Sequence, residues 1–180
     1  MGIRQNKYRF VVWYMLGFLI GILYANFIAR SYITMTGIFH EYFLNQYTQM
    51  KIVTEDYMWY LLRCRVLPLG FVVFMGSAGF RKISATACLI WTGFSSGVLA
   101  VAAVLRMGAK GMLLCVAGIF PHFIFYIFAY VVILYYFYHY PETKWNVKKT
   151  MFVFVMFVTG ILLEVYVNPT VMREIMKILL

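Results

Sequence analysis

A chain of 180 residues that is 64% hydrophobic and only 12% charged lacks the polar surface of a water-soluble domain, since such domains are about a quarter charged. Its net charge is +10, and the basic residues lie at the ends of long apolar runs. This placement argues against a nucleic-acid-binding surface and indicates contact with lipid headgroups. These features predict an all-α, polytopic helical membrane protein with about five transmembrane helices, folded as a single integral membrane domain over residues 1–180.

The first predicted span covers residues 10–29 and follows a short basic start. A signal peptide begins in a similar way, but its apolar core is only about 7–15 residues long. A retained signal-anchor helix therefore fits this segment better. Gly17 and Gly21 stand one helical turn apart, and glycines at this spacing let a second helix approach closely. We predict a helix-packing contact there.

Residues 30–57 form a polar stretch in which apolar and aromatic side chains still recur at roughly helical spacing. Its tyrosines suit the boundary between lipid and water. We predict one or two amphipathic helices that lie on the membrane surface, outside the cytoplasm.

The second span is predicted over residues 58–80. Arg63 and Arg65 fall inside it, so their side chains must either reach the membrane surface or face protein. Pro68 favours a kink within this helix.

The third span, over residues 83–105, is rich in small side chains. Gly93, Gly97 and Ala100 give it a smooth face, and close backbone contact replaces in lipid the hydrophobic drive that water supplies. We expect this helix to be central to the bundle.

The fourth span, over residues 111–138, is almost wholly apolar yet contains Pro121 and His122. Proline lacks an N–H group and frees a backbone carbonyl one turn earlier, so a neutral histidine could donate a hydrogen bond there or to a neighbouring helix. We favour this structural interpretation, a kink with its own polar partner. The alternative is a protonation or contact site, because ionisable groups inside a membrane are costly.

The fifth span, over residues 150–167, carries Glu164 near its far end. Arg106, Lys110 and Arg63 are candidate partners, and the ion pair that we name is Glu164 with Arg106. An unpaired carboxylate in water is the alternative.

Basic residues set the predicted orientation. Five spans would place the two termini on opposite sides of the membrane. Arg4, Lys7 and Arg9 precede the first span, and basic residues favour the cytoplasmic side. We therefore predict a multi-pass protein of the cell membrane with a cytoplasmic N-terminus.

Catalysis finds little support in the sequence. The single aspartate, Asp56, excludes a pair of catalytic aspartates within one chain, and no H-E-x-x-H or Walker A motif is present. Residues 93–97, Gly-Phe-Ser-Ser-Gly, have the spacing of a G-x-S-x-G motif, but any general base would have to come from elsewhere in the chain. His40-Glu41 offers two ligands where a zinc site needs three or more. The three cysteines contain no C-x-x-C motif. We expect no catalytic residue, metal or cofactor, while a small-molecule ligand is left open.

Three segments within residues 83–135 together resemble the stage II sporulation protein M family. They are a glycine-bearing helix at residues 92–97, a short glycine turn at residues 106–111, and the Pro121-His122 step followed by apolar residues and Ala129. The layout of five spans, with a longer loop after the first, is also similar. The chain departs from the family at Phe123 and Tyr126, where many relatives have a small and an acidic residue.

The resemblance implies a non-enzymatic scaffold. Members of the family hold peptidoglycan-degrading enzymes and other membrane proteins at the septum during engulfment in endospore formers, so residues 30–65 and the outer loops would be the docking surface. The alternative, from the residues alone, is a transporter or permease-like subunit with His122 on its pathway. That role predicts water access to His122 and often an internal repeat, and no convincing repeat joins the two halves. An intramembrane enzyme is a third and weaker hypothesis.

Overall fold

The protein is helical throughout the part of the chain that the structure, a computed structural model, describes. The described residues are 2–36, 41–50 and 53–179. Within these ranges the great majority of residues are helical and none lies in a strand, which confirms the all-α class. The helices there are, in chain order, α1 (Gly2–Phe27), α2 (Arg30–Thr36), α3 (Glu41–Gln49), α4 (Thr54–Ser77), α5 (Arg81–Met107), α6 (Ala109–Ile119), α7 (His122–Tyr138), α8 (Val147–Tyr166) and α9 (Asn168–Leu179).

Among the described residues, four helices are long and apolar enough to cross a membrane. They are α4, α5, α8 and the Arg9–Phe27 part of α1, and a span needs about 20 mostly apolar residues. The pair α6 and α7 passes the same test only when taken together, and the two axes differ by 63°. The described part of the chain therefore contains four candidate spans, or five when the bent pair counts as one. The bend falls at Phe120-Pro121, where we predicted a kink.

The region predicted as amphipathic, residues 30–57, contains α2, α3 and the start of α4; within it, residues 37–40 and 51–52 lie outside the described residues. The second span begins at Thr54, four residues before the predicted start at 58. Glu55 and Asp56 occupy the first turn of α4, where negative charge interacts favourably with the helix dipole. That explains how a polar segment extends the apolar helix. Pro68 lies inside α4, which continues through it.

Contacts divide the chain into two compact units. The first unit takes the described residues of Met1–Gln49, Thr86–Cys115 and Leu179, and the second takes those of Met50–Ala85 and Val116–Ile178. The boundaries fall inside α5 and α6, so the units do not follow the order of the helices in the sequence. A single domain over residues 1–180 stays a prediction.

In the first unit, α1 and α5 touch backbone to backbone. A Cβ atom added to Gly17 or Gly21 would collide with the carbonyl oxygen of Ile90 or Phe94, respectively. In the opposite direction, a Cβ on Gly93 or Gly97 would collide with the backbone of α1. The hydroxyls of Tyr14 and Ser96 also meet at 2.8 Å between the two helices. The two glycine pairs that the sequence singled out thus pack against each other.

In the second unit, α8 packs against both α4 and α7. The buried core between these helices contains Leu61, Tyr126, Phe157, Ile161 and Val165. The chain then turns into α9, whose buried side chain is Met176. In or beside this core lie four polar side chains that form the candidate site: Arg65 on α4, His122 and Tyr126 on α7, and Glu164 on α8.

Candidate functional site: a buried polar cluster in the second unit

Glu164 is the centre of a polar cluster inside the second unit. It lies near the C-terminal end of α8 and is only 4% exposed. A buried carboxylate is costly unless charged and hydrogen-bonding partners replace the water it loses. Three residues from two other helices, Arg65, Tyr126 and His122, approach it.

Arg65, near the middle of α4, supplies the opposite charge. Its Nε donates a hydrogen bond to Glu164 Oε2 at 3.0 Å, and its Nη2 donates to Oε1 at 2.5 Å. Two parallel bonds between a guanidinium and a carboxylate fix the orientation of both groups as well as their charges. The Arg65 guanidinium also lies 5.1 Å from the ring centroid of Tyr126, within the range of a cation–π contact.

Tyr126 on α7 donates its hydroxyl to Glu164 Oε2 at 2.7 Å. The tyrosine ring reaches this position because α8 has a glycine one turn earlier. A Cβ atom on Gly160 would lie 2.7 Å from the Tyr126 ring, closer than carbon atoms can approach without displacement. Gly160 therefore makes room for the ring that satisfies Glu164.

His122 begins α7, one turn before Tyr126, and is 2% exposed. Its Nε2 lies 3.6 Å from Glu164 Oε1, inside ion-pair range but too far for a hydrogen bond. The imidazole meets the Tyr126 ring nearly edge-on, with 5.9 Å between centroids and 73° between planes. Among the described residues its Nδ1 finds no hydrogen-bond partner. His122 is thus packed against the cluster and only partly satisfied by it.

The three helices contribute to this cluster with the same spacing. Leu61 and Arg65, His122 and Tyr126, and Gly160 and Glu164 are each four residues apart, so both members of a pair lie on one helix face. In the α4 and α8 pairs the first residue packs in or against the core and the second belongs to the polar cluster, whereas both members of the α7 pair approach Glu164. With a neutral imidazole, the cluster holds one positive and one negative charge and has no net charge.

Such an arrangement is suited to holding helices together. Both oxygens of Glu164 are already engaged, so the carboxylate has partners within the protein on two neighbouring helices. Low-dielectric surroundings strengthen these bonds and also raise the cost of breaking any one of them. The cluster is a polar clasp between α4, α7 and α8.

The predicted ion pair of Glu164 with Arg106 is wrong. The partner we named for Glu164 was Arg106, but the guanidinium bound to Glu164 is that of Arg65. Arg106 instead points its Nε at the carbonyl oxygen of Ile33, at 3.5 Å. Two reasons favour Arg65: it lies on a helix packed against α8, and the Leu61 contact sets its face towards that helix.

The other predicted positions are accounted for. Pro121 lies at the bend between α6 and α7, and His122 is in the cluster. Gly17, Gly21, Gly93 and Gly97 form the α1–α5 contact, with Ala100 half-buried further along α5. Among the described residues, no group of three or more His, Cys, Asp or Glu side chains is close enough to hold a metal ion.

Sequence reasoning missed Tyr126 and Gly160. Tyr126 is one of 15 tyrosines, most of which suit a lipid interface as well as a core, so composition could not single it out. The available signal was the four-residue spacing from His122, which places the hydroxyl on the same face of α7 as an ionisable group.

No family model, curated protein or solved structure matches this chain. The resemblance to the stage II sporulation protein M family therefore rests on the sequence segments within residues 83–135.

Proposed function

We propose that this protein is a non-enzymatic multi-pass scaffold of the cell membrane, and that its polar cluster holds helices in place. The observation that carries this proposal is the full engagement of Glu164 by Arg65 and Tyr126. A transporter needs ionisable groups that exchange partners with a solute or with water during its cycle. Here the carboxylate is already bound by its own chain, and the neighbouring imidazole is packed against a ring.

The partners that we propose are peptidoglycan-degrading enzymes and other septal membrane proteins. The resemblance of residues 83–135 to the sporulation family supports this choice. The docking surface would include α3, on which Tyr42 is 66% exposed and meets the Phe43 ring edge-on at 5.8 Å. Leu44, the next residue, is buried, so α3 presents aromatic side chains outward while its other face packs.

Affinity capture with crosslinking, from cells of the native host during sporulation, tests this function. We expect peptidoglycan hydrolases to be captured by the unaltered protein. A Tyr42→Ser, Phe43→Ser double variant should lose most of that capture, because it removes both exposed rings. Gln46→Ala, an exposed change on the same helix, is the matched control and should retain it. Capture of an ATPase without any hydrolase would contradict the scaffold.

One observation favours the transporter as a second candidate. His122 Nδ1 is buried and has no hydrogen-bond partner among the described residues, as expected of a group that takes part in binding only transiently. Purified protein in liposomes distinguishes the two functions. The scaffold predicts no ion flux attributable to the protein, whether or not His122 is replaced by alanine. A flux that disappears with His122→Ala would establish the transporter instead.

A further inference from the structure

A cavity of about 260 Å³ lies at one end of the second unit, in the turn between α4 and α5. Its lining consists of residues 79–83 together with Phe137, near the end of α7, and Tyr140, two residues beyond that end. Pockets for drug-sized ligands hold about 300–1,000 Å³, so this cavity is suited to a smaller group such as a phosphate.

The walls of this cavity are held by close packing. A Cβ atom on Gly76 would collide with the Phe137 ring, so the glycine lets the ring lie directly against α4. The Ser84 hydroxyl donates a buried hydrogen bond of 3.0 Å to the carbonyl oxygen of Val72, which ties the start of α5 to α4. The turn between them passes through Gly79 with a positive φ of 98°, a conformation that glycine adopts readily.

The cavity is lined by two basic residues. The Arg81 guanidinium lies 3.5 Å from the centroid of the Tyr140 ring, which holds the charge at the cavity wall. Lys82 is exposed beside it. Among the described residues, no carboxylate lies within 4.0 Å of either side chain. Arg81 is anchored by an aromatic ring, and its charge is left unneutralised.

The backbone adds to this positive field. Arg81 and Lys82 begin α5, whose first turn has no acidic residue. The N-terminus of a helix carries a partial positive charge, so basic residues there are unfavourable and an anion is favoured. The combination of two cations with this helix end leaves a positive potential that a bound anion would offset.

The side chains at this end of the unit are of the kinds that are typical of a membrane interface. The loop from α7 to α8 brings Trp145 to 5.1 Å from the Tyr136 ring, and Lys149 Nζ lies 5.9 Å from the same ring. Tryptophan and tyrosine concentrate where lipid meets water. Phe80 and Ile83, both exposed, line the cavity as well, so apolar surface adjoins its positive charge.

We infer that this cavity binds the phosphate of an anionic phospholipid headgroup. Arg81 and Lys82 would contact the phosphate, while the acyl chains would run along Phe80 and Ile83. The exposed apolar side chains distinguish a lipid from free phosphate, which would gain nothing from them. Basic pockets beside transmembrane helices bind anionic headgroups in this way. The inference concerns binding alone and does not depend on the scaffold function.

Native mass spectrometry of the full chain in a neutral detergent tests the site, with phosphatidylglycerol and phosphatidylcholine of equal chain length as probes. We expect one phosphatidylglycerol to be retained in preference to phosphatidylcholine. The Arg81→Gln, Lys82→Gln double variant should weaken that retention by about 30-fold, the effect of removing two basic contacts. Lys82→Gln alone, at an exposed side chain, should weaken it about fivefold and serves if the double variant does not fold.

A matched control separates the cavity from diffuse attraction. Lys144→Gln, Lys148→Gln removes the same charge from the neighbouring loop but leaves the cavity lining intact, and it should change retention by less than about threefold. An effect as large as that of the Arg81, Lys82 pair would overturn the inference, as would equal retention of both lipids. Displacement of the lipid by inorganic phosphate, but not by chloride at matched ionic strength, would show that the site takes the free anion and would also overturn it.

Discussion

The burial of the Arg65–Glu164 ion pair predicts how much the free energy of unfolding should fall when either residue is replaced. Removing one member of a buried pair leaves the other charge without a partner and costs about 3–5 kcal/mol. Glu164 is almost fully buried, whereas the Arg65 side chain is 35% exposed. Arg65→Met strands the buried carboxylate, so we expect it to cost about 3–5 kcal/mol, and Glu164→Leu, which strands the more exposed cation, to cost somewhat less.

Replacing both members should be less harmful than replacing either one. In Arg65→Met, Glu164→Leu no charge remains in the cluster, and the chief loss is the hydrogen bond of the Tyr126 hydroxyl, which costs about 1–3 kcal/mol when left unsatisfied. The two single effects therefore should not add. This is the expected behaviour of residues in one hydrogen-bonded network.

Reversible unfolding in mixed micelles, driven by a rising fraction of SDS and followed by far-UV circular dichroism, gives the free energies of the four proteins in this cycle. Arg63→Met is the control, since Arg63 is exposed on the same helix, and it should change stability by less than about 0.5 kcal/mol. Additive single effects, or an Arg65 variant no less stable than the Arg63 control, would refute the pairing.

Three further variants test other parts of the structure. The Gly93→Leu, Gly97→Leu double variant should separate α1 from α5 and lower the melting temperature in detergent. The control, Gly70→Leu, has open space around the glycine and should leave the melting temperature nearly unchanged. Equal effects of the two variants would contradict the backbone contact. Gly160→Ala should displace the Tyr126 ring and lower the free energy of unfolding by about 1–3 kcal/mol. The control, Gly118→Ala, meets only the flexible Met172 side chain and should leave the free energy of unfolding unchanged or raise it by up to about 1 kcal/mol. His122→Ala should destabilise the second unit by about 1–3 kcal/mol through lost packing, measured by the same unfolding assay, and an unchanged stability would show that the imidazole is not packed.

The parts of this fold that could be read from sequence are those governed by local pattern. Apolar runs of membrane length predicted the long helices, because hydrocarbon requires about 20 apolar residues in a row. Gly17, Gly21, Gly93 and Gly97 could be identified as contact points, since close helix approach needs small side chains at this spacing. Pro121 marked the bend for an equally local reason, the missing N–H group.

The partner of Glu164 could not be read in the same way. Arg65 and Glu164 are separated by 99 residues, and their contact depends on which helices pack together and in which register. We judged partners by membrane face and named Arg106, but the face of α4 that carries Leu61 decides the pairing. Gly160 was overlooked because its importance depends on a ring from another helix.

We interpret the polar cluster as a packing element that water does not reach. Thiol accessibility at position 122 tests this interpretation most directly, using a variant in which Cys64, Cys88 and Cys115 are replaced and a single cysteine is introduced. In sealed proteoliposomes, His122→Cys should resist a charged, water-soluble thiol reagent added to either side, while Glu142→Cys, in the exposed α7–α8 loop, should react readily. Reaction at position 122 at a rate close to that at position 142 would show that water reaches the cluster and would contradict the account.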